Sequence, residues 1–322
     1  MNTSSRKFPV VLLALCCYPT VAVADQSVEQ LLADGSIDQA IRTLSTRNDA
    51  ASLNLLSRAY YAIEQWDNAV KNGERAVSLS QDNALYHLWL GREYGEKASA
   101  SNPLSAASLA RKAKNEFELA VKLDPANLQA HADLAEYYTQ APAIMGGGTD
   151  KARDQATQVA KYDQATSHWI LAIIAEKDKR YSDAESELRQ AIVVAKNPAQ
   201  YWMNLASFFR RRSRFDNMQT AITQAIAQPN KSAEVYYNAA SELFQSGRDF
   251  SGAVQYLKQY LASNAMVEDA PAFRAHFLLG QIYEKMGNKS DAVAEYKSSL
   301  AMASGFAPAA KALSRLHQQL PT

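Results

Sequence analysis

Four of the five histidines, His87, His131, His168 and His276, each stand three residues ahead of a leucine, at Leu90, Leu134, Leu171 and Leu279. Imidazoles in series invite a metal reading. Zinc, however, needs ligand nitrogens about 2.0 Å from one centre, while packed helices lie about 8–10 Å apart. The ligands would therefore have to converge from separate helices. Leu53, Trp202 and Tyr237 hold the corresponding place elsewhere in the chain, so the position asks for a bulky, half-buried side chain. Packing is the expected role of the histidines, and no metal ligand is assigned.

Other chemistry-bearing patterns resolve in the same direction. The chain has no HExxH pair, no GxSxG elbow and no phosphate-binding loop. Gly146, Gly147 and Gly148 precede Lys151, but that lysine is not adjacent to the last glycine and no strand leads into the run. An irregular turn between two helices is expected there. The cluster Arg210, Arg211, Arg212 and Arg214 closes a helical segment, where positive charge favours the carboxyl end of the helix dipole. Its alternative use is contact with an acidic partner or an anionic polymer. No catalytic residue and no cofactor is assigned.

Residues 1–24 read as a secretory signal peptide: Arg6 and Lys7 form a basic head, Val10 to Cys17 an apolar run, and Ala22, Val23 and Ala24 a small-residue cleavage site. The apolar run is about half of the roughly 20 residues that a membrane-spanning helix needs. Both cysteines, Cys16 and Cys17, fall in this leader. Cleavage would leave a periplasmic or secreted chain without thiols, folding by packing alone. Lipidation at either cysteine is disfavoured, because Leu15 and Cys16 occupy the preceding position, where lipoprotein signals usually carry a small residue. Without its two leader cations the chain carries 32 Lys plus Arg against 33 Asp plus Glu. That near-neutral balance lacks the basic excess of a nucleic-acid binder and the polybasic tract of a membrane-surface protein.

The elements behind these positions form a repeat. Leu279, Gly280, Tyr283, Gly287, Ala292 and Tyr296 set an order of large, small and aromatic residues. It recurs about every 34 residues, as in Leu56, Ser57, Tyr60, Ala69 and Ala76, or Leu205, Ala206, Phe209, Ile222 and Ala225. Offsets of three, four and seven place these residues on one face of each of two helices. One such pair cannot bury its stripe, so neighbours must stack.

This pattern resembles the tetratricopeptide repeat over nearly all of the chain beyond the leader. The resemblance implies an all-α fold, a right-handed α-solenoid of stacked helix-turn-helix units. A partial repeat is read over residues 25–49, seven repeats over 50–306, and a capping helix with tail over 307–322. Two units carry extra residues, near 97–110 and 140–150, at equivalent turns, so a single lobe is expected on one edge. Asn102 and Pro103 should cap and open a lengthened second helix. Asp38, Asp67, Asp150, Ser182, Asp216, Ser251 and Ser290 are read as N-caps of the second helices, with Ile37, Trp66, Tyr181, Phe215 and Phe250 as hydrophobic staples ahead of them.

In the resembled family the first helices line a concave face and expose positions five, nine and twelve of each unit. That implies partner-binding residues at Arg58, Tyr61, Arg92, Trp169, Met203, Arg210 and Phe277, beside Leu88 and Glu136, a mixture suited to gripping a protein. Trp169, Phe277 and Leu88 could instead fill the space between helices. The lysine and asparagine set that grips a peptide's terminal carboxylate in some family members is missing. The function expected is a non-catalytic scaffold of the cell envelope that binds a protein or peptide, such as an envelope or secretion component, through the concave face or the lobe. The alternatives are a polysaccharide- or peptidoglycan-binding accessory protein and an enzyme with an unrecognised site.

Overall fold

The computed structural model describes residues 27–319; the leader read over residues 1–24 lies outside them. Among the described residues are seventeen α-helices, joined mostly by short turns. They run in antiparallel pairs: α1 (Val28–Asp34) with α2 (Ile37–Leu44), α3 (Ala50–Ala62) with α4 (Trp66–Leu79), α5 (Ala84–Ser99) with α6 (Pro103–Leu123), and α7 (Leu128–Gln140) with α8 (Thr149–Val159). Next come α9 (Gln164–Lys177) with α10 (Tyr181–Val194), α11 (Ala199–Arg211) with α12 (Phe215–Ala227), α13 (Glu234–Ser246) with α14 (Phe250–Ala262), and α15 (Ala272–Lys285) with α16 (Lys289–Met302). The last helix, α17 (Ala307–Gln319), packs on α16. The fold is an all-α solenoid of stacked helix-turn-helix units.

Within a pair, small residues let the helices approach. At Gly91 and Gly280 a Cβ would stand 2.5 Å from the Phe117 ring and 2.4 Å from the Tyr296 ring, well inside van der Waals contact. The aromatic of the second helix therefore lies directly on the backbone of the first. The turn between the helices repeats one geometry: Glu64, Lys179, Ser213, Gly247 and Gly287 all adopt left-handed backbone with φ between 55° and 79°. In each turn the next amide donates back to the carbonyl five residues upstream in a Schellman-type closure, as Arg180 does to Ala175 at 2.8 Å and Asn288 to Tyr283 at 2.8 Å.

The caps differ from the sequence reading. Asp38, Asp67, Asp150, Asp216, Ser182, Ser251 and Ser290 lie one position inside their helices, and Ile37, Trp66, Tyr181, Phe215 and Phe250 are the first helical residues. The exception is Ser290, which follows Lys289, and Asp150, which follows Thr149. Tight left-handed turns start the second helices early, so the carboxylates act on the helix dipole instead of capping. Side-chain capping belongs mainly to the first helices, where Asp49, Asn83, Asn127 and Asp163 accept from backbone amides two or three residues on. Asn102 caps α6 as expected, accepting from the Ser105 amide at 3.1 Å, and Pro103 opens the helix.

The solenoid bends until its ends meet. Leu31, Leu32, Ile37, Ala59 and Ile63 share a buried cluster with Phe273, Ala303, Phe306 and Ala309. Polar groups close the same seam: Asp38 accepts from the Ser304 amide at 3.0 Å, and the Arg274 guanidinium donates to the Ala62 carbonyl at 2.8 Å. Gly35 lies so close that a Cβ would stand 2.9 Å from the Ala272 amide nitrogen. The array is thus a closed ring of helix pairs.

Candidate partner-binding groove

The first helices of successive pairs face the inside of the ring. There α3, α5, α7, the turn at Ala143–Met145 and the loop after α14 enclose a cavity of about 580 Å³. Tyr61, Trp89, Phe117 and Tyr137 form its apolar walls, and Arg92, Glu96, Asp133, Glu136 and Asp269 supply its charge. A second cavity of about 420 Å³ shares Tyr61, Trp89, Glu96 and Asp269 and adds Arg58, Glu64, Glu268 and Arg274. The two form one groove across the seam. A third, about 460 Å³, continues along α7, α9 and α11 past Glu136, Trp169, Glu176 and Arg211.

Trp89 organises the groove. It is 7% exposed, with the Arg58 guanidinium 4.9 Å and the Arg92 guanidinium 5.0 Å from its ring, and Tyr61 meets it edge to face at 5.6 Å. Each arginine is held by a carboxylate on its far side. Arg92 donates to Asp133 at 2.5 Å, and Arg58 makes a two-toothed pair with Glu268, its Nε at 2.8 Å from one carboxylate oxygen. The Glu268 carboxylate is delivered by a folded loop: the Tyr260 hydroxyl donates to the Ala270 carbonyl at 2.5 Å and accepts from the Val267 amide at 3.1 Å. Burial pushes the Tyr260 phenol up to about 12, which keeps it a donor.

The residues proposed from sequence separate into three sets. Arg58, Tyr61 and Arg92 meet in the groove, and Trp169 lines its continuation. Arg210 is turned between units, pairing with Glu242 at 2.6 Å. Met203 is only 3% exposed and belongs to the core, as does Leu88 at 0%. Phe277 packs against Phe306 at 5.2 Å and Tyr296 at 5.7 Å. Met203 is corrected from groove to packing residue, and Leu88 and Phe277 take the alternative expected of them, filling space between helices. Position five differs between units: Leu88 and Met203 turn into the core, whereas Trp169 lines the groove. In α5, α7 and α11 the residues at six, nine and thirteen face the groove, as Trp89, Arg92 and Glu96, Asp133, Glu136 and Gln140, and Asn204, Ser207 and Arg211 do, while Arg58 and Tyr61 of α3 and Trp169 and Glu176 of α9 keep the expected positions five, nine and twelve. Spacing by three and four marks that line in the sequence; only packing shows which of two adjacent stripes is exposed.

The histidines tie each second helix to its first. The Nδ1 of His87, His168 and His276 lies 2.5, 2.7 and 2.6 Å from Glu116, Glu187 and Glu295, and that of His131 lies 2.8 Å from Gln155. Among the described residues no group of three or more His, Cys, Asp or Glu is placed to hold a metal ion. Nor is any helix there long and apolar enough to cross a membrane. Of the arginine cluster, Arg211 pairs with Glu176 at 2.8 Å and Arg214 with Glu185 at 2.5 Å, so neighbouring units already supply acidic partners.

Fold and groove together define a class: an α-solenoid of stacked helix pairs, a non-catalytic interaction module. A sequence profile of the family described as tetratricopeptide repeat matches residues 146–200 and 237–308. Over those residues the chain matches the tetratricopeptide repeat, as the spacing of its large and small residues indicated. No curated protein matches it. Among solved structures it is similar to a thermophilic tetratricopeptide-repeat protein of Thermus thermophilus, with 19% identity over 56% of this chain and 95% of that one, at a TM-score of 0.47. It is also similar to a tetratricopeptide-repeat protein of Parabacteroides merdae, with 14% identity over 83% of this chain and 98% of that one, at a TM-score of 0.43. PilF of Pseudomonas aeruginosa follows at 16% identity over 74% and 97% of the two chains, with a TM-score of 0.39.

Proposed function

We propose that this non-catalytic interaction module is a scaffold of the cell envelope that holds a protein or peptide in the groove on the inner face of its ring. The observation that carries the reading is the groove itself: aromatic walls, charged groups fixed by ion pairs, and open volume bounded by three successive first helices. Rigid aromatic and arginine side chains around a partly desolvated hollow are the composition of binding hot spots. The envelope location rests on the leader read in residues 1–24.

Photo-cross-linking in intact cells tests both statements. A photoreactive amino acid at Gln140 or Ser207, which line the groove, should yield protein adducts. The same residue at Val193, exposed on the second helix α10, should not. Adducts only from Val193, or none from the groove positions in folded protein, would overturn the groove as the binding face. Recovery of the full-length chain from the cytoplasm alone would overturn the envelope location.

A further inference from the structure

The walls of the seam groove carry nine charged groups, and their pairing is unequal. Its three cations are already neutralised: Arg58 by Glu268, Arg92 by Asp133 and Arg274 by Glu64, the last at 3.5 Å. Three carboxylates remain outside any ion pair, Glu96, Glu136 and Asp269, with Arg274 and Arg211 acting on Glu96 and Glu136 only by longer-range attraction. Glu136 receives only the Gln140 amide, at 2.6 Å. For Glu96 and Asp269 no hydrogen bond or ion pair is formed among the described residues. The hollow therefore carries more carboxylates than cations, and it is walled by Tyr61 and Tyr137, whose ring faces attract cations, while the Trp89 ring is already taken by Arg58 and Arg92.

Resting on the reading of the groove as the binding face, we propose that the partner enters it with a lysine or arginine side chain, seated against Tyr61 and Tyr137 and neutralised by Glu96, Glu136 and Asp269. An anionic segment is disfavoured by the same three carboxylates, since like charge opposed across a groove costs several kcal/mol. A purely apolar segment would bury them without compensation. Burial raises the proton affinity of Glu96 and Glu136 above the ordinary carboxylate value, so each gains from an incoming cation. Asp269 comes from the loop on the far side of the seam, which makes the site complete only when the ring is closed.

A fluorescein-labelled tetralysine peptide, titrated into the full chain and followed by fluorescence anisotropy, tests the proposal. Binding should weaken at least tenfold when its lysines are acetylated, and at least tenfold in a Glu96→Gln, Asp269→Asn double variant. A control variant, Asp183→Asn with Glu187→Gln on α10, should bind as the parent does. The variants are checked for parental circular dichroism and melting, and Glu136→Gln provides a second route should the double variant misfold. Equal losses in groove and control variants, undiminished binding of the acetylated peptide, or no binding of tetralysine by folded parent would each overturn the cationic occupant. Groove-specific cross-links obtained alongside such a result would leave the scaffold reading standing, so the two failures are distinguishable.

Discussion

His87 shows how a side chain with catalytic potential is consumed by architecture. Its ring joins Glu116 of α6 at 2.5 Å and the Gln81 carbonyl at 2.9 Å, so both nitrogens are engaged, and the ion pair with Glu116 raises its pKa above the ordinary 6.5. A raised histidine pKa means that the folded state binds the proton more tightly. The stabilisation is therefore complete below about pH 6.5 and is lost as pH rises through the higher folded value. His87→Asn should cost about 1.5–3 kcal/mol at pH 6, the worth of a hydrogen bond to a charged group, and distinctly less at pH 9. Urea melts of both proteins at the two pH values check this; an equal cost at both would show that the imidazole works by shape alone. Glu93 is a contrasting case. It is wholly buried, a Cβ on Gly73 would fall 2.1 Å from its carboxylate, and neither of its oxygens has a hydrogen-bond partner. Burial pushes its pKa well above the ordinary carboxylate value.

At the scale of elements, the recurrent turn is the most uniform device in the chain, yet its key position is filled by Glu64, Lys179 and Ser213 as well as by Gly247 and Gly287. Left-handed backbone costs an L-residue roughly 1–2 kcal/mol, partly offset by the greater entropy glycine loses on folding. Lys179 is exposed with φ of 59°, so Lys179→Gly should stabilise the protein by about 0.5–1 kcal/mol, readable as a higher denaturation midpoint at unchanged slope. The enlarged units show a second device. α5 runs to 16 residues and α6 to 21, while the chain after α7 forms a short 3-10 turn. Tyr137 fixes that turn by donating to the Met145 carbonyl at 2.9 Å, and Lys151 reaches back to the Gly146 carbonyl at 2.9 Å. Gly147 is required there, since a Cβ would sit 1.9 Å from the Ala141 carbonyl oxygen. The lysine that resembled part of a phosphate site thus closes its own turn, and Met145 becomes part of the groove wall.

For the whole molecule, closure of the ring is the decisive event, because it brings the loop carrying Glu268 and Asp269 over α3 and α5. The seam combines an apolar cluster around Phe273 and Phe306 with the Arg58 to Glu268 pair, whose side chains are only 14% and 19% exposed. Breaking a largely buried pair by reversing one charge is strongly destabilising, commonly by about 3–5 kcal/mol when full burial holds and less here. Arg58→Glu should therefore loosen the seam, raising the radius of gyration in small-angle scattering and hastening amide exchange in α1 and α2. Adding Glu268→Arg should restore both. A single variant as compact and as protected as the parent would show that the apolar cluster alone closes the ring.

The periodicity of leucine, alanine and aromatic residues determined the helix pairs, their stacking and the extra turns near Asn102, because local spacing is enough to say which side chains share a helical face. Helix starts were misplaced by two residues, since tight left-handed turns built from Glu64, Lys179 and Ser213 carry no glycine signal. The expected stripe holds at Arg58, Tyr61, Arg92 and Trp169 but not at Met203, which is core, and it left out Trp89, Glu96 and Asp133. Whether position five or six meets solvent depends on how neighbouring pairs rotate against each other. Only the tertiary structure decided that, and only it decided that the two ends meet: curvature sums small rotations at every interface, and contacts between residues some 210 positions apart, such as Arg58 and Glu268, leave no local trace in the chain.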